Sequence, residues 1–426
     1  MPIDASRLKH LLPLMLVQVV GIACGLIGVR LSSTLIPPAV LGLYGLLLSS
    51  QRLGAFVTHQ GLVKHVERYW TADTPGRAYG KRLARAALAP TVWLAGGSVI
   101  VLLVLNVSGN GAFAARWWLW IVVVNVLTVA AHLTHAALQA EQRYWSHLLL
   151  SAAGSVTRTF LPIALILVAG ASLDVLGWGF VGHTVVWAAV GFWCLRSAWR
   201  RPARRQIEEI KSPGKMVRTL LWAGVFGWVA AAATPWFAAA ALDAQTTGYF
   251  ILAFNLTAVI PASVSAIALS YTFPPLFESA RRGAPKEQLL RVTNLTTVIT
   301  LGVGQVGLLV LAWLGPRLVG PLVDPRYAES MDWILAAGGG GLAAIANVFY
   351  GNLLIARGLD RACTQLAASS AVLRIGILAL LLASGSPRVF ALGLCFLPWP
   401  TVIQGWWLTR RWIDADDAAR NTTPDT

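Results

Sequence analysis

Residues 151–170 read SAAGSVTRTFLPIALILVAG. A helix needs about 20 apolar residues to cross roughly 30 Å of hydrocarbon, and this stretch meets that length with one charge, Arg158, near its middle. The guanidinium cannot shed its proton, and no acidic residue lies within two helical turns of it. Its partner must come from elsewhere in the fold.

The rest of the chain has the same apolar character. Hydrophobic residues make up 56% and charged residues 12% of the sequence, and the mean hydropathy is +0.64, well away from the composition of soluble domains. This is the composition of an all-α integral membrane protein. Twelve apolar runs are long enough to span, at about 11–30, 39–60, 86–106, 114–138, 147–170, 175–197, 217–241, 247–273, 291–314, 331–356, 363–383 and 388–409. The connections between them are too short for a soluble domain with its own core.

The net charge of +16, from 34 Lys and Arg against 18 Asp and Glu, follows the topology. Arg7, Lys9, the segment 64–85, RSAWRRPARRQIEEIKSPGKMVR (196–218), Arg281–Arg291 and the C-terminal Arg410, Arg411 and Arg420 all fall on one side. Only Arg116, Arg317, Arg326 and Arg388 fall on the other. By the positive-inside rule both termini are cytoplasmic. Aromatic clusters at span ends, ARWWLW (115–120) and GWWLTRRW (405–412), fit headgroup anchoring. No soluble domain presents a basic patch, which argues against a nucleic-acid partner. The first span, after MPIDASRLKH, reads as a start anchor rather than a cleaved signal. Cys24, Cys194, Cys363 and Cys395 lack pair spacing, so no metal site, cofactor site or disulfide framework is expected.

An internal repeat organises the spans. ALQAEQRYWSHLLLSAAGSVTR (137–158) aligns without a gap on LLIARGLDRACTQLAASSAVLR (353–374), ending on Arg158 and Arg374. A weaker echo pairs LIPPAVLGLYGLLLSS (35–50) with LDAQTTGYFILAFNLT (242–257). The expected organisation is an N-terminal six-helix lobe (1–200), a basic cytoplasmic linker (201–216), a C-terminal six-helix lobe (217–410) and a cytoplasmic tail (411–426). Parallel repeats of this kind build transporters with a central path between the halves.

Twelve spans in two six-helix repeats resemble the MOP superfamily, which contains the MATE exporters and the flippases of lipid-linked glycans. Within it, VRLSSTLIPPAVLGLYGLLLSSQRLGAFVTHQGLVKHVERYW (29–70) is similar to the first hairpin of Wzx-type flippases. LDAQTTGYFILAFNLTAVIPASVSAIALSYTFPPLFESARRG (242–283) is similar to the matching hairpin of the second half. The likeness covers nearly the whole chain as a pattern of small, aromatic and basic residues. It implies a MATE-like fold around a central cavity and a place in the bacterial inner membrane. It also implies that the chain flips a polyprenyl-diphosphate-linked oligosaccharide during O-antigen or related polysaccharide synthesis, with a polysaccharide polymerase and a chain-length regulator as further partners. Such proteins run on ion or proton gradients, usually through buried acids, and no Asp or Glu lies deep in any span here.

Arg30, Arg52, Arg158 and Arg374 lie in the spans, where a charge costs about 2.5–3.5 kcal/mol on insertion scales and so belongs inside the protein or a watered cavity. A guanidinium fork matches phosphate oxygens, so these four are the candidate substrate-binding residues. Each could instead cap carbonyls of a neighbouring helix, above all near Pro162, which breaks a helical ladder. Lys64 and Arg68 read as inner-leaflet contacts. His59, His132, His135 and His183 titrate near neutral pH and are candidates for proton coupling; without Cys or carboxylate beside them they suggest no metal. GVGQVG (302–307) and GGGG (338–341) sit in apolar spans and read as helix-packing segments rather than ligand loops. Two alternatives remain: a MATE-like multidrug or ion antiporter, whose cavity should offer acids, and a membrane enzyme of glycan assembly, which would need a catalytic loop that this sequence lacks.

Overall fold

The computed structural model describes residues 5–71, 74, 76–107, 111–199, 212–232, 234–318 and 323–422. In these the chain is a set of long helices. The first half holds α1 (Ala5–Leu35), α2 (Pro38–Tyr69), α3 (Gly76–Val107), α4 (Gly111–Ala140), α5 (Tyr144–Ala169) and α6 (Leu173–Trp199). The second holds α7 (Pro213–Ala232), α8 (Thr234–Ala241), α9 (Ala244–Arg281), α10 (Lys286–Leu318), a 3₁₀ helix (Pro325–Trp333), α11 (Ile334–Ile345), α12 (Val348–Ala356), α13 (Asp360–Ala383), α14 (Pro387–Phe396) and α15 (Pro398–Thr422). Ten of these segments are long and apolar enough to cross a membrane, or eleven if the α7–α8 pair, bent by 40°, is one span. The span expected at 86–106 falls in α3, whose side chains from residue 93 onward lie outside the description. Most of the linker expected at 201–216 also lies outside it, since α7 begins at Pro213. The tail expected from residue 411 is helical up to Thr422.

The two halves pair their helices alike. α1 lies on α5, α2 on α4 and α4 on α6, while α7 lies on α13, α9 on α11 and α11 on α14. The repeat also holds at the level of single hydrogen bonds. Before α5, Gln142 N–H donates to Gln139 O and Arg143 N–H to Leu138 O; before α13, Gly358 N–H donates to Ile355 O and Leu359 N–H to Leu354 O. Both turns use a left-handed residue at the same aligned position, Gln142 at φ 55 and Gly358 at φ 82, which closes the end of the preceding helix.

At the second echo the structure shifts the register by one residue. Leu41 N–H donates to Pro37 O and Thr247 N–H to Asp243 O, so Gly42 corresponds to Gly248, and Arg52 to Ala258. These two glycines face each other: a Cβ on Gly42 would lie 3.2 Å from the Gly248 nitrogen, and one on Gly248 would run into the Pro38 carbonyl. Only glycine allows that approach of α2 and α9.

The halves meet where α2 packs on both α7 and α9 and α1 packs on α9. At the far end from the basic connections, Arg326 of the 3₁₀ helix donates to the carbonyls of Ser33 and Thr34, and Tyr327, fully buried, donates to Ile36 O at 2.9 Å. At the basic end Arg68 pairs with Asp360 at 3.4 Å, and Lys64 pairs with Glu67 at 2.6 Å while sitting over the Phe273 ring of α9. Lys64 and Arg68 thus join α2 to the second half, a correction to their reading as headgroup contacts; both are largely buried, because α2 runs between the halves.

The glycine run in α11 is a packing feature. A Cβ on Gly338 would enter Leu308 of α10, one on Gly339 the α14 backbone at Leu394–Cys395, and one on Gly340 would meet Thr234 of α8 at 2.9 Å. In GVGQVG, Gly304 packs on Leu342.

Candidate functional site

Arg158 sits on α5 opposite the lipid-facing side. The exposed apolar residues Leu149, Val156, Phe160 and Leu167 recur at helical spacing and form one stripe. At about 100° per residue, Arg158 lies half a turn from that stripe. Yet Arg158 is exposed, so its exposure is to space inside the first six-helix group. It acts electrostatically on Tyr44 and Arg52 of α2 and on His183 of α6. Neither Arg52 nor Arg158 has an ion pair with a carboxylate among the described residues. Two guanidiniums that act on each other without a carboxylate counter-charge among the described residues are the arrangement an anion would complete.

Arg374 has a different environment. It is 2% exposed and lies on the buried stripe Cys363, Leu366, Ser370, Arg374 and Leu378 of α13. Its Nη1 donates to the Ala230 carbonyl, in the last turn of α7. Carbonyls there have no intrahelical donor, because α7 ends at Ala232 and the chain bends before α8 starts at Thr234. Arg374 therefore fastens the bend between α7 and α8. The structure brings Arg52 and Arg158 together and leaves Arg374 apart from them. Arg30 is exposed near the end of α1, and its carbonyl accepts from the Ser33 and Thr34 hydroxyls.

The four histidines lie in one connected region between α2, α4, α5 and α6. His183 Nδ1 is 2.8 Å from the Thr157 hydroxyl, next to Arg158. The His183 ring stacks on Trp187, which meets His132 edge-on at 5.0 Å, and His132 lies 5.0 Å from His59. His59 donates from Nε2 to the Asn125 carbonyl at 2.9 Å. One turn along α4 from His132, His135 bonds Ser151 at 3.1 Å and lies 4.0 Å from His147.

Sequence reasoning missed His147, which is buried with neither ring nitrogen partnered. It also missed the polar pair Gln51 and Asn125 beside His59. A signal for His147 was present: all seven histidines fall before residue 184, so imidazoles in the interior belong to the first half.

Comparison with known proteins concerns the fold. No family model matches the sequence, and no curated protein matches it. Among solved structures, a point mutant of the Vibrio cholerae MATE transporter VcmN superposes with a TM-score of 0.63 at 13% identity, over 98% of this chain and 97% of that one. A MOP-superfamily transporter from Pyrococcus furiosus, described as having a binding pocket of reversed polarity, gives 0.63 at 12% identity over 95% and 94%. An outward-facing multidrug resistance MATE family transporter gives 0.60 at 12% identity over 97% and 95%. The fold is that of the MATE transporters. With ten or eleven helices long and apolar enough to cross a bilayer, the chain has the make-up of a multi-pass membrane protein on that fold.

Proposed function

We propose that this chain is a transporter that moves a polyprenyl-diphosphate-linked oligosaccharide from the cytoplasmic to the outer leaflet of a bacterial inner membrane. The observation that carries the reading is the pair Arg52 and Arg158, close enough to repel each other and without a carboxylate partner among the described residues. A diphosphate supplies the oxygens that two guanidinium forks can hold, and the lipid tail remains in the bilayer while the glycan crosses. Rocking of the two six-helix lobes about the α2–α7 and α2–α9 contacts alternates access. The string from His147 to His183 carries a proton between the basic end and the arginine pair, in the role that buried acids would otherwise fill.

The fold supports a MATE-like exporter of cationic compounds equally well, and the polarity of the interior favours the anion. A cation would meet two fixed positive charges there.

The test is the sidedness of the lipid-linked oligosaccharide in cells lacking the chain, with Arg52→Ala and Arg158→Ala variants supplied at matched levels. The expected result is accumulation on the cytoplasmic leaflet, rescued by the unaltered chain and not by the variants. Normal export without the chain, or cationic-drug export by it, would overturn the proposal. Covalent change of the glycan by the purified protein would point to an enzyme instead.

A further inference from the structure

A groove of about 820 Å³ runs between α10 and α15 at the basic end, away from the arginine pair. From α10 it is lined in order by Lys286, Arg291, Asn294, Leu295 and Val298, a run of about 18 Å at 1.5 Å per residue. From α15 it is lined by Asp414, Arg410 and Trp406, one turn apart on one face. Since the two helices run in opposite directions, both walls are charged at one end and apolar at the other.

The apolar end opens to the bilayer. Leu295 and Val298 are 59% and 53% exposed, and Val292, Ile299 and Val303 beside them are exposed too. In a membrane this flank of α10 is covered by lipid chains. The charged end lies at the level where the basic connections leave the spans.

The charges select the headgroup. Lys286, Arg291 and Arg410 face Glu287 and Asp414. Asp414 takes up Lys286 at 3.0 Å and reaches Arg410 only at 4.0 Å. Arg291 is exposed and has no ion pair among the described residues. The lining thus carries one more cation than acids, with Arg291 unpaired among the described residues and Arg410 held only at 4.0 Å, and an added anion would meet both guanidiniums. One turn deeper, Asn294 makes no hydrogen bond among the described residues, and its Oδ1 is buried without a partner. Its amide nitrogen is left to donate, and an ester carbonyl of a lipid is an acceptor at that depth; basic pockets between membrane helices on this side suit anionic headgroups.

We propose that this groove is a binding site for an anionic glycerophospholipid. The phosphate lies against Arg291 and Arg410, the ester region at Asn294, and an acyl chain along Leu295, Val298 and Trp406. The inference is independent of what the chain transports.

The experiment is native mass spectrometry of the full chain released from detergent, titrated with phosphatidylglycerol or phosphatidylcholine of the same acyl chains. Retention of phosphatidylglycerol should be about tenfold stronger, and an Arg291→Gln, Arg410→Gln double variant should lose that preference. In the unaltered chain, phosphatidylglycerol with brominated chains should quench a fluorescence component that Trp406→Phe removes, a readout that needs no arginine variant. Equal retention of the two lipids, preference surviving in the double variant, retention of an isoprenoid carrier instead, or no quenching assignable to Trp406 would each overturn the site.

Discussion

Helices α5 and α13 start from turns with matching hydrogen bonds and carry an arginine at the same aligned place, yet the two arginines meet opposite surroundings. Arg158 is exposed on the side of α5 away from its lipid stripe and acts on Arg52 and His183; Arg374 is buried against the end of α7. The difference comes from their neighbours. α2 brings Arg52 toward Arg158, whereas α9 has Ala258 at the corresponding position. α7 is broken ahead of Pro235 and offers a bare carbonyl, whereas α1 continues as a helix to Leu35. A repeated sequence thus keeps its fold while its chemistry diverges, because backbone turns depend on local residues and side-chain roles depend on the packed partner.

The largest effect that could break this comparison is on transport. The double variant Arg52→Ala, Arg158→Ala should lower flipping at least tenfold, the loss of about 1.4 kcal/mol or more expected when charge-assisted contacts to a phosphate go. Its thermal stability should stay close to the unaltered chain. A leaflet assay and a melting curve on the same preparations check both halves of the claim; intact flipping would remove Arg52 and Arg158 from the site.

The next effect runs the other way. Arg374→Ala should cost about 2 kcal/mol of stability, since it strips the Ala230 carbonyl of its donor and leaves a cavity. The melting temperature reads it, and an unchanged melting temperature would mean that the α7–α8 bend holds without Arg374.

The paired turns sharpen the comparison at smaller scale. Gly358→Ala should cost about 1 kcal/mol, because φ 82 strains any L side chain and the new Cβ would crowd the Arg68 guanidinium at 3.0 Å. Gln142→Gly should gain a few tenths of a kcal/mol, because the relief of left-handed strain exceeds the extra freedom of the unfolded glycine. Melting curves of the two variants should shift in opposite directions.

The smallest effect concerns helix starts. α2 begins on Pro37 and Pro38 with no side-chain cap, while Asp243 caps α9 by accepting from Gln245 N, Thr246 N and the Thr246 hydroxyl. The Thr246 hydroxyl and backbone bonds hold the Asp243 carboxyl below its ordinary range. The cap's contribution is therefore complete above the ordinary carboxylate range and fades as pH falls through the depressed value. Asp243→Ala should melt lower than the unaltered chain near neutral pH, and the gap should close as pH falls below the ordinary carboxylate range. A gap that persists in acid would mean that the ionised cap is not what stabilises the start of α9.

Much of the fold was legible in the residues. Apolar run length gives the spans, because bilayer thickness sets helix length. The aligned segments ending on Arg158 and Arg374 gave the repeat, and the structure adds matching turn hydrogen bonds, because a helix end closed by a left-handed residue is a local affair. The glycines of α11 read correctly as residues of close helix contact, since they sit inside an apolar span. The one-residue shift of the second echo was not legible: side-chain similarity around Gly42 and Gly248 is weak, and only the close approach of the two backbones sets that register.

What the sequence determined by itself was therefore the class, the positions of the ten or eleven apolar helices found among the described residues and the internal repeat, which rest on single segments and their solvent. What only the tertiary structure decided was which charges meet. The pairing of Arg52 with Arg158, the burial of Arg374, the transfer of Lys64 and Arg68 to the contact between halves and the string of histidines ending at His147 all depend on side chains from different helices. Helical spacing says which way a residue turns on its own helix, and only packing says what stands opposite.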